Sequence, residues 1–394
     1  MSDTSPARAT ITPITTTEAL HDLCEHLSSA PWLALDTEFI REKTYYPRLC
    51  LIQVATPELC ACIDPLAIDA PDVFHDLLYD ENILKVMHAA RQDLEIFYHL
   101  RGAVPGPIFD TQIAAGFLGY GDQIGYSRLV EKMLDVHLDK AHTRTDWCQR
   151  PLSTDQLHYA ADDVIYLAQM YPDIVAALEE RGRLEWVADE TARLMDPSVF
   201  VIDPQTCWQK VSGHRRLKPR QLAILRRLAR WREEHAMAQD IPRKWVLADN
   251  ELIGIAQMAP RKSTQLEQLR GLKPAFIRRH GEQIVQLVGE ALDEKAQHWP
   301  GATKTSPLSP IQEVQADIMM ALIKYRAQQH GLNSAAIGTR KDVEAMLRGE
   351  PGSNLVQGWR RRLAGEELED FLAGRLQIRN AGDHLVIEKL SPPV

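Results

Sequence analysis

Asp36 and Glu38 are separated by one residue in Leu33-Ala-Leu-Asp-Thr-Glu-Phe39. In an extended chain residues i and i+2 point to one face, so the two carboxylates project together. Two anions held side by side are costly unless a cation neutralises them. Asp93 follows an apolar run in Met87-His-Ala-Ala-Arg-Gln-Asp-Leu94, where a helical pattern begins. Tyr159 and Asp163 stand four residues apart in Tyr159-Ala-Ala-Asp-Asp163, which on a helix puts phenol and carboxylate on one face. Asp162 is turned about 100° away and is the weaker candidate. Four carboxylates supply the oxygen ligands that hard divalent cations prefer. Two such cations close together stabilise both the attacking and the leaving oxygen of a phosphodiester displacement. A phenol beside them, with its ordinary pKa near 10, suits orienting a water better than taking its proton. Each part alone has a plainer reading: a solvated turn at a strand end, an acid complementing a helix dipole, a boundary aromatic beside a surface acid.

The elements that must position these groups alternate strand and helix patterns. Trp32–Asp36, Leu49–Ala55, Cys60–Ile63 and Leu84–His88 read as strands, the second and third joined by a turn around Pro57. Arg91–Leu100, Thr111–Leu118, Tyr126–Val136 and Thr154–Leu178 read as helices, the last opened by Ser153 or Thr154. A mixed sheet flanked by helices is expected. Beyond about residue 200 the strand signal almost vanishes. Helices are expected over Lys218–His235, Asp249–Met258, Ser263–Leu269 and Pro274–Leu292, then a Pro-rich linker, Gln297–Pro310. Ile311–Gln329, Thr339–Leu347 and Trp359–Leu372 replay that helical order as a diverged duplication.

The 394 residues carry a net charge of −9, with 45% hydrophobic and 25% charged residues, which excludes wholesale disorder. The charge is unevenly distributed: −18 over residues 1–204, +8 over 205–300 and +1 over 301–394. An acidic total argues against a polyanionic partner only when the charge is uniform. Here a basic module follows an acidic one. Arg215, Arg216, Lys218 and Arg220 precede a helix carrying Arg226, Arg227, Arg230 and Arg232, with Arg243 and Lys244 beyond it. These suit a phosphate-backbone grip, or else a solvated helix face. No run of about 18 apolar residues or secretory leader is visible, and the six cysteines lack paired spacing. Reduced thiols and a cytoplasmic protein are expected.

The acids and tyrosine in this order are the signature of the DEDD exonuclease superfamily, tyrosine subtype. The flanking segments sharpen the likeness: Pro47-Arg-Leu-Cys-Leu-Ile-Gln-Val54, Ile63-Asp-Pro65, His88 with Asp93-Leu94, Phe109-Asp-Thr-Gln-Ile-Ala114, Asp146-Trp147 and Leu157-His-Tyr-Ala-Ala-Asp-Asp-Val164. Roughly residues 12–375 resemble the ribonuclease D family, and the basic module and its repeat resemble HRDC domains. The resemblance implies an α/β, RNase H-like mixed-sheet exonuclease domain (1–204) and two small all-α domains (205–296 and 311–378). A linker (297–310) joins the latter two, and a tail follows (379–394). It implies a 3′→5′ exoribonuclease that trims trailing nucleotides from tRNA precursors and other small structured RNAs, releasing nucleoside 5′-monophosphates. The expected partner is RNA, with no membrane and no nucleotide cofactor, and the chain is expected to act as a monomer. Two divalent ions, Mg²⁺ or Mn²⁺, are implied: Asp36 bridging them, Glu38 and Asp163 completing the nucleophile side, Asp93 on the leaving-group side. Tyr159 would orient the water. Phe39 and Leu94 would stack or wedge at the terminal base, or else pack in the core. His88, His142 and His158 are expected to be structural, since the acids suffice. An exonuclease acting on DNA ends and a non-catalytic RNA-binding protein remain as alternatives.

Overall fold

The computed structural model describes residues 11–69, 72–138, 145–301 and 306–390. The chain divides into two units: Met1–Glu38, Cys50–Asp196 and Pro307–Val394 in one, Phe39–Leu49 and Pro197–Ser306 in the other. In the first, α1 (Thr17–Leu27) precedes β1 (Trp32–Ile40), β2 (Arg48–Ala55) and β3 (Cys60–Ile63). Then come α2 (Asp72–Leu78), β4 (Leu84–Met87), α3 (Arg91–Arg101), β5 (Ile108–Asp110) and α4 (Thr111–Leu118). The strands form one sheet in the order β3-β2-β1-β4-β5. β2 and β3 pair antiparallel through the expected turn, while β1, β4 and β5 run parallel. Leu33, Ala34 and Leu35 of the central β1 are buried, as a strand covered on both faces requires. β5, at three residues, is too short for alternation to reveal it, and the sequence reading missed it.

Three helices complete this stretch: α5 (Tyr126–Leu134), α6 (Thr154–Glu180) and α7 (Leu184–Leu194). Ser153 caps α6 in a reciprocal box with Gln156, whose side chain accepts from the Ser153 N–H. Ala160, Ala161 and Val164 are fully buried, and these small side chains let α6 lie close against β3 and β4. The expectation of six reduced thiols is corrected. Cys50 on β2 is disulfide-bonded to Cys148, with Cα atoms 5.3 Å apart, while Cys24, Cys60, Cys62 and Cys207 are free. A separation of 98 residues has no local spacing signature, so only the fold could join them.

The second unit is built on α8 (Pro219–Ala238), α9 (Arg243–Val246), α10 (Asp249–Met258) and α11 (Pro274–Asp293). Its core gathers Leu222, Leu225, Leu228 and Ala229 of α8 with Ile284 and Val288 of α11. The segment Phe39–Leu49 belongs to this unit. The Tyr45 hydroxyl donates to buried Glu233, and the Tyr45 and Tyr46 amides donate to Asp240.

Residues 307–394 return to the first unit. They form α12 (Pro310–Gln329), α13 (Ser334–Ile337), α14 (Arg340–Arg348), α15 (Gly358–Arg360), a π-helical turn (Arg361–Gly365) and α16 (Glu366–Leu372). Trp359 stacks on Trp186 of α7, with centroids 4.8 Å apart, and meets Phe117 of α4 edge-on. Arg360 pairs with Glu190 of α7 and also donates to Ala336 O. Beyond α16 the described residues to 390 correct the expected division into an all-α domain ending at 378 and a separate tail from 379. β6 (Leu376–Asn380) and β7 (Leu385–Lys389) form an antiparallel hairpin across the expected boundary at 378. Its short strands sit in a polar context, so alternation was a weak signal. Among the described residues no helix is long and apolar enough to cross a membrane.

Candidate active site

β1 carries Asp36 and Glu38 out of its buried run, both half-buried, while Thr37 between them is buried. α6 brings Asp163 to the same place. One carboxylate oxygen from each of Asp36, Glu38 and Asp163 lies within 4.8 Å of the others. Asp93, buried in the first turn of α3, joins them through Thr37, whose hydroxyl donates to its Oδ1. No cation pairs with any of these four acids among the described residues.

That arrangement is electrostatically uncomfortable, and the acidities record it. Burial, then Asp93, Asp163 and Glu38, hold the Asp36 carboxyl well above the usual carboxylate range. Burial, then Asp163 and Asp93, push Glu38 up to about 9. Burial raises Asp93 to about 7 against the opposing hydrogen bond from Thr37. Burial and then Asp162 raise Asp163 to about 7. Tyr159 is raised above its ordinary value by burial, then Asp163, Glu38 and Asp36, so at neutral pH it is a phenol. Oxygen donors converging without a counter-charge fit a hard divalent cation, whose charge reverses each of these shifts.

Supporting residues hold the site in ways the sequence did not signal. Asp110 accepts from the Ala89 and Ala90 amides as well as from Gln112 N and Ile113 N, so one carboxylate caps α4 and fixes the turn into α3. That turn needs fixing, because Ala89 has φ +56° and Ala90 has no side-chain cap to offer. Arg150 makes two bonds to buried Asp64 and donates to Cys50 O and Trp147 O. This anchors Trp147, whose ring lies 6.0 Å from that of Tyr159. Ile63-Asp-Pro65 and Asp146-Trp147 carry the family likeness, but nothing local in the sequence gives Asp64 or Trp147 a role.

The expected histidines divide. His88 has one ring nitrogen on Thr111 Oγ1 and the other on Ile124 O, each at 3.0 Å, which leaves neither for a metal. His158 is half-buried beside Tyr159, and His142 lies outside the described residues. Leu94 is fully buried in the core, so its expected contact with a terminal base is corrected: α3 turns it inward, one position past Asp93. Phe39 is half-buried at the end of β1 and falls in the second unit.

The basic residues also divide. Arg215 and Arg216 are exposed. Arg226, Arg227 and Arg230, expected either to grip phosphates or to form a solvated helix face, are each paired with a carboxylate. Arg226 forms a fork with Glu294 (2.7 and 2.9 Å), Arg227 meets Glu290 at 3.1 Å, and Arg230 meets Glu234 at 2.7 Å. The partners of the first two lie on or just beyond α11, more than 60 residues away, where no local pattern reveals them.

Comparison with known proteins covers both units. A family model described as 3′-5′ exonuclease matches residues 11–179, and the HRDC domain model matches 221–288. Ribonuclease D of Bartonella henselae is 37% identical over 92% of this chain and 90% of its own length. That of Gluconacetobacter diazotrophicus is 39% identical over 92% and 93%. Among solved structures, Escherichia coli RNase D, described as an exoribonuclease involved in structured RNA processing, superposes with a TM-score of 0.84 at 34% identity. The match covers 93% of this chain and 99% of that one.

Proposed function

The chain belongs to the ribonuclease D family, and on that premise we propose that it is a metal-dependent 3′→5′ exoribonuclease trimming trailing 3′ nucleotides from tRNA precursors and other small structured RNAs. The observation that carries the catalytic part is the convergence of Asp36, Glu38 and Asp163, with Asp93 tied in through Thr37. Asp36 would be shared between two Mg²⁺ or Mn²⁺ ions, Glu38 and Asp163 would hold one, and Asp93 would hold the other. When bound, the ions supply electrostatic stabilisation of the charge on the attacking and leaving oxygens. The Tyr159 phenol orients a water towards the terminal phosphate, and Trp147 limits where that phenol can swing. The water oxygen bonds to phosphorus, the bond from phosphorus to the preceding O3′ breaks, and O3′ takes up a proton. A nucleoside 5′-monophosphate leaves, and the shortened chain ends in a new 3′ hydroxyl. Residues 311–378 are read as a second copy of the HRDC arrangement, and the chain is read as a monomer.

The test is a time course on a tRNA precursor with a 3′ extension, resolved to single nucleotides, with Mg²⁺, with Mn²⁺ and with EDTA. Stepwise loss from the 3′ end, abolished by EDTA, is the expected outcome. Matched DNA digested as fast as RNA would point to a DNA-end exonuclease. Trimming that survives chelation would remove the metal role.

A further inference from the structure

Arg226, Arg227 and Arg230 of α8 are neutralised by their own unit, which turns attention to cations of that unit that form no ion pair among the described residues. One group of them lies around α9. Of the eight tryptophans in the chain, seven are buried or half-buried, and Trp245 is 62% exposed. An exposed indole on a loose loop would mean little, but this one is rigidly mounted. Val246 and Leu247 after it are buried in the core, Trp245 N donates to Pro242 O, and Leu247 N donates to Arg243 O. Arg243 is itself tied to buried Glu233.

Two concavities flank this turn. One, of about 650 Å³, is lined by Ser212, Arg216 and Lys244 among others. The other, of about 480 Å³, is lined by Lys244, Trp245 and Lys273. Lys244 borders both, so the two form one surface with the indole on one side of the lysine. Arg216, Lys244 and Lys273 are exposed and form no ion pair among the described residues. The acids nearby are already engaged: Asp249 accepts from Arg232 at 2.7 Å and from Ser212 N, and Glu251 accepts from Ala248 N.

We infer that the α9 turn with its two flanking grooves is the RNA-holding surface of this unit: an unpaired base stacks on Trp245 while neighbouring phosphates meet Lys244, Lys273 and Arg216. A fixed aromatic face at the edge of a cationic groove is the arrangement that binds single-stranded nucleic acid without regard to sequence. The assignment rests on the exoribonuclease reading only for the identity of the polymer.

The experiment uses the full chain in EDTA, so that nothing is cleaved, and measures anisotropy of a labelled single-stranded RNA across a salt series. Trp245→Ala should weaken binding about tenfold, while Trp245→Phe, which keeps a stacking face, should stay within about threefold of wild type. Each of Lys244→Ala, Lys273→Ala and Arg216→Ala should lower the slope of log affinity against log salt by about 0.7. The triple variant Arg226→Ala, Arg227→Ala, Arg230→Ala should bind within about twofold of wild type, its charges being already paired. Unchanged affinity in Trp245→Ala, as a surface serving a protein partner would give, overturns the assignment. So does loss of binding confined to the α8 triple variant. A wild-type chain that binds RNA through Trp245 but trims none with Mg²⁺ leaves this surface standing and overturns the reading of the carboxylate site.

Discussion

Two clusters of like charge stand out in this molecule, and their surroundings differ. In the nuclease unit Asp36, Glu38, Asp93 and Asp163 converge with no cation among the described residues, and their acidities rise in consequence. In the helical unit Arg226, Arg227 and Arg230 follow one another along α8, yet each meets a carboxylate. Burying like charges without a partner lowers stability, so such a cluster persists where something outside the chain completes it. A paired cluster is already complete and belongs to the architecture. On the proposed reading, ligands go to the unpaired acids and to the unpaired cations around Trp245, while the paired arginines of α8 serve the architecture.

The most severe way to break this contrast is to remove one of the acids. Asp163→Asn or Asp36→Ala should reduce metal-dependent trimming at least about a thousandfold, several kcal/mol of lost transition-state stabilisation. In EDTA the Asp163→Asn chain should melt no lower than wild type, since it sheds a repelling charge. Near-wild-type trimming, or a collapsed fold, would sink the site assignment.

Next in size is the loss of an ion pair that does structural work. Arg360 and Glu190 are 13% and 16% exposed, and Trp359 lies beneath the guanidinium at 4.5 Å. Arg360→Ala should cost about 3 kcal/mol by leaving the partly buried Glu190 with only Trp359 Nε1 and Arg193 for partners. Although burial alone would raise it, the bonds from Arg360 and Trp359 hold Glu190 below its ordinary value. The stabilisation is therefore present above the usual carboxylate range and fades as pH falls through the lowered value. A denaturant series at two pH values checks both.

A subtler test uses protons in place of mutations. With folded acidities of about 7 for Asp93 and Asp163 and about 9 for Glu38, the metal-free fold binds protons that the unfolded chain releases near pH 4. Their contribution is full below that value and is lost as pH rises towards 7 to 9. The EDTA-treated chain should thus melt higher at pH 5.5 than at pH 8, and Mg²⁺ or Mn²⁺ should flatten the difference. A metal-free melting temperature indifferent to pH would argue against the buried, uncompensated cluster.

The smallest effect is expected at α8. Single substitution of Arg230, whose pair with Glu234 is half exposed, should alter stability by less than about 1 kcal/mol and leave RNA affinity near wild type. A strong loss of RNA binding there would erase the distinction between the two clusters.

Local periodicity explains which parts were legible beforehand. The two-residue step of β1 placed Asp36 beside Glu38, and the four-residue step of α6 placed Tyr159 beside Asp163. The mixed sheet, most helices and the division into acidic and basic regions also followed from pattern and composition. The sequence by itself thus determined which groups share a face, because the backbone geometry that aligns them spans only a few residues. Which faces meet was decided by the tertiary structure. Thr37 reaches Asp93 across 56 residues, Arg150 reaches Asp64 across 86, and Cys50 reaches Cys148 across 98. The same holds for charge. A run of arginines announces its sign in the sequence, but whether it is free to bind depends on the helix that packs against it. Burial and pairing are properties of neighbours in space, so Trp245 and Lys244 became the candidates for RNA only once carboxylates at Glu234, Glu290 and Glu294 had paired the arginines of α8.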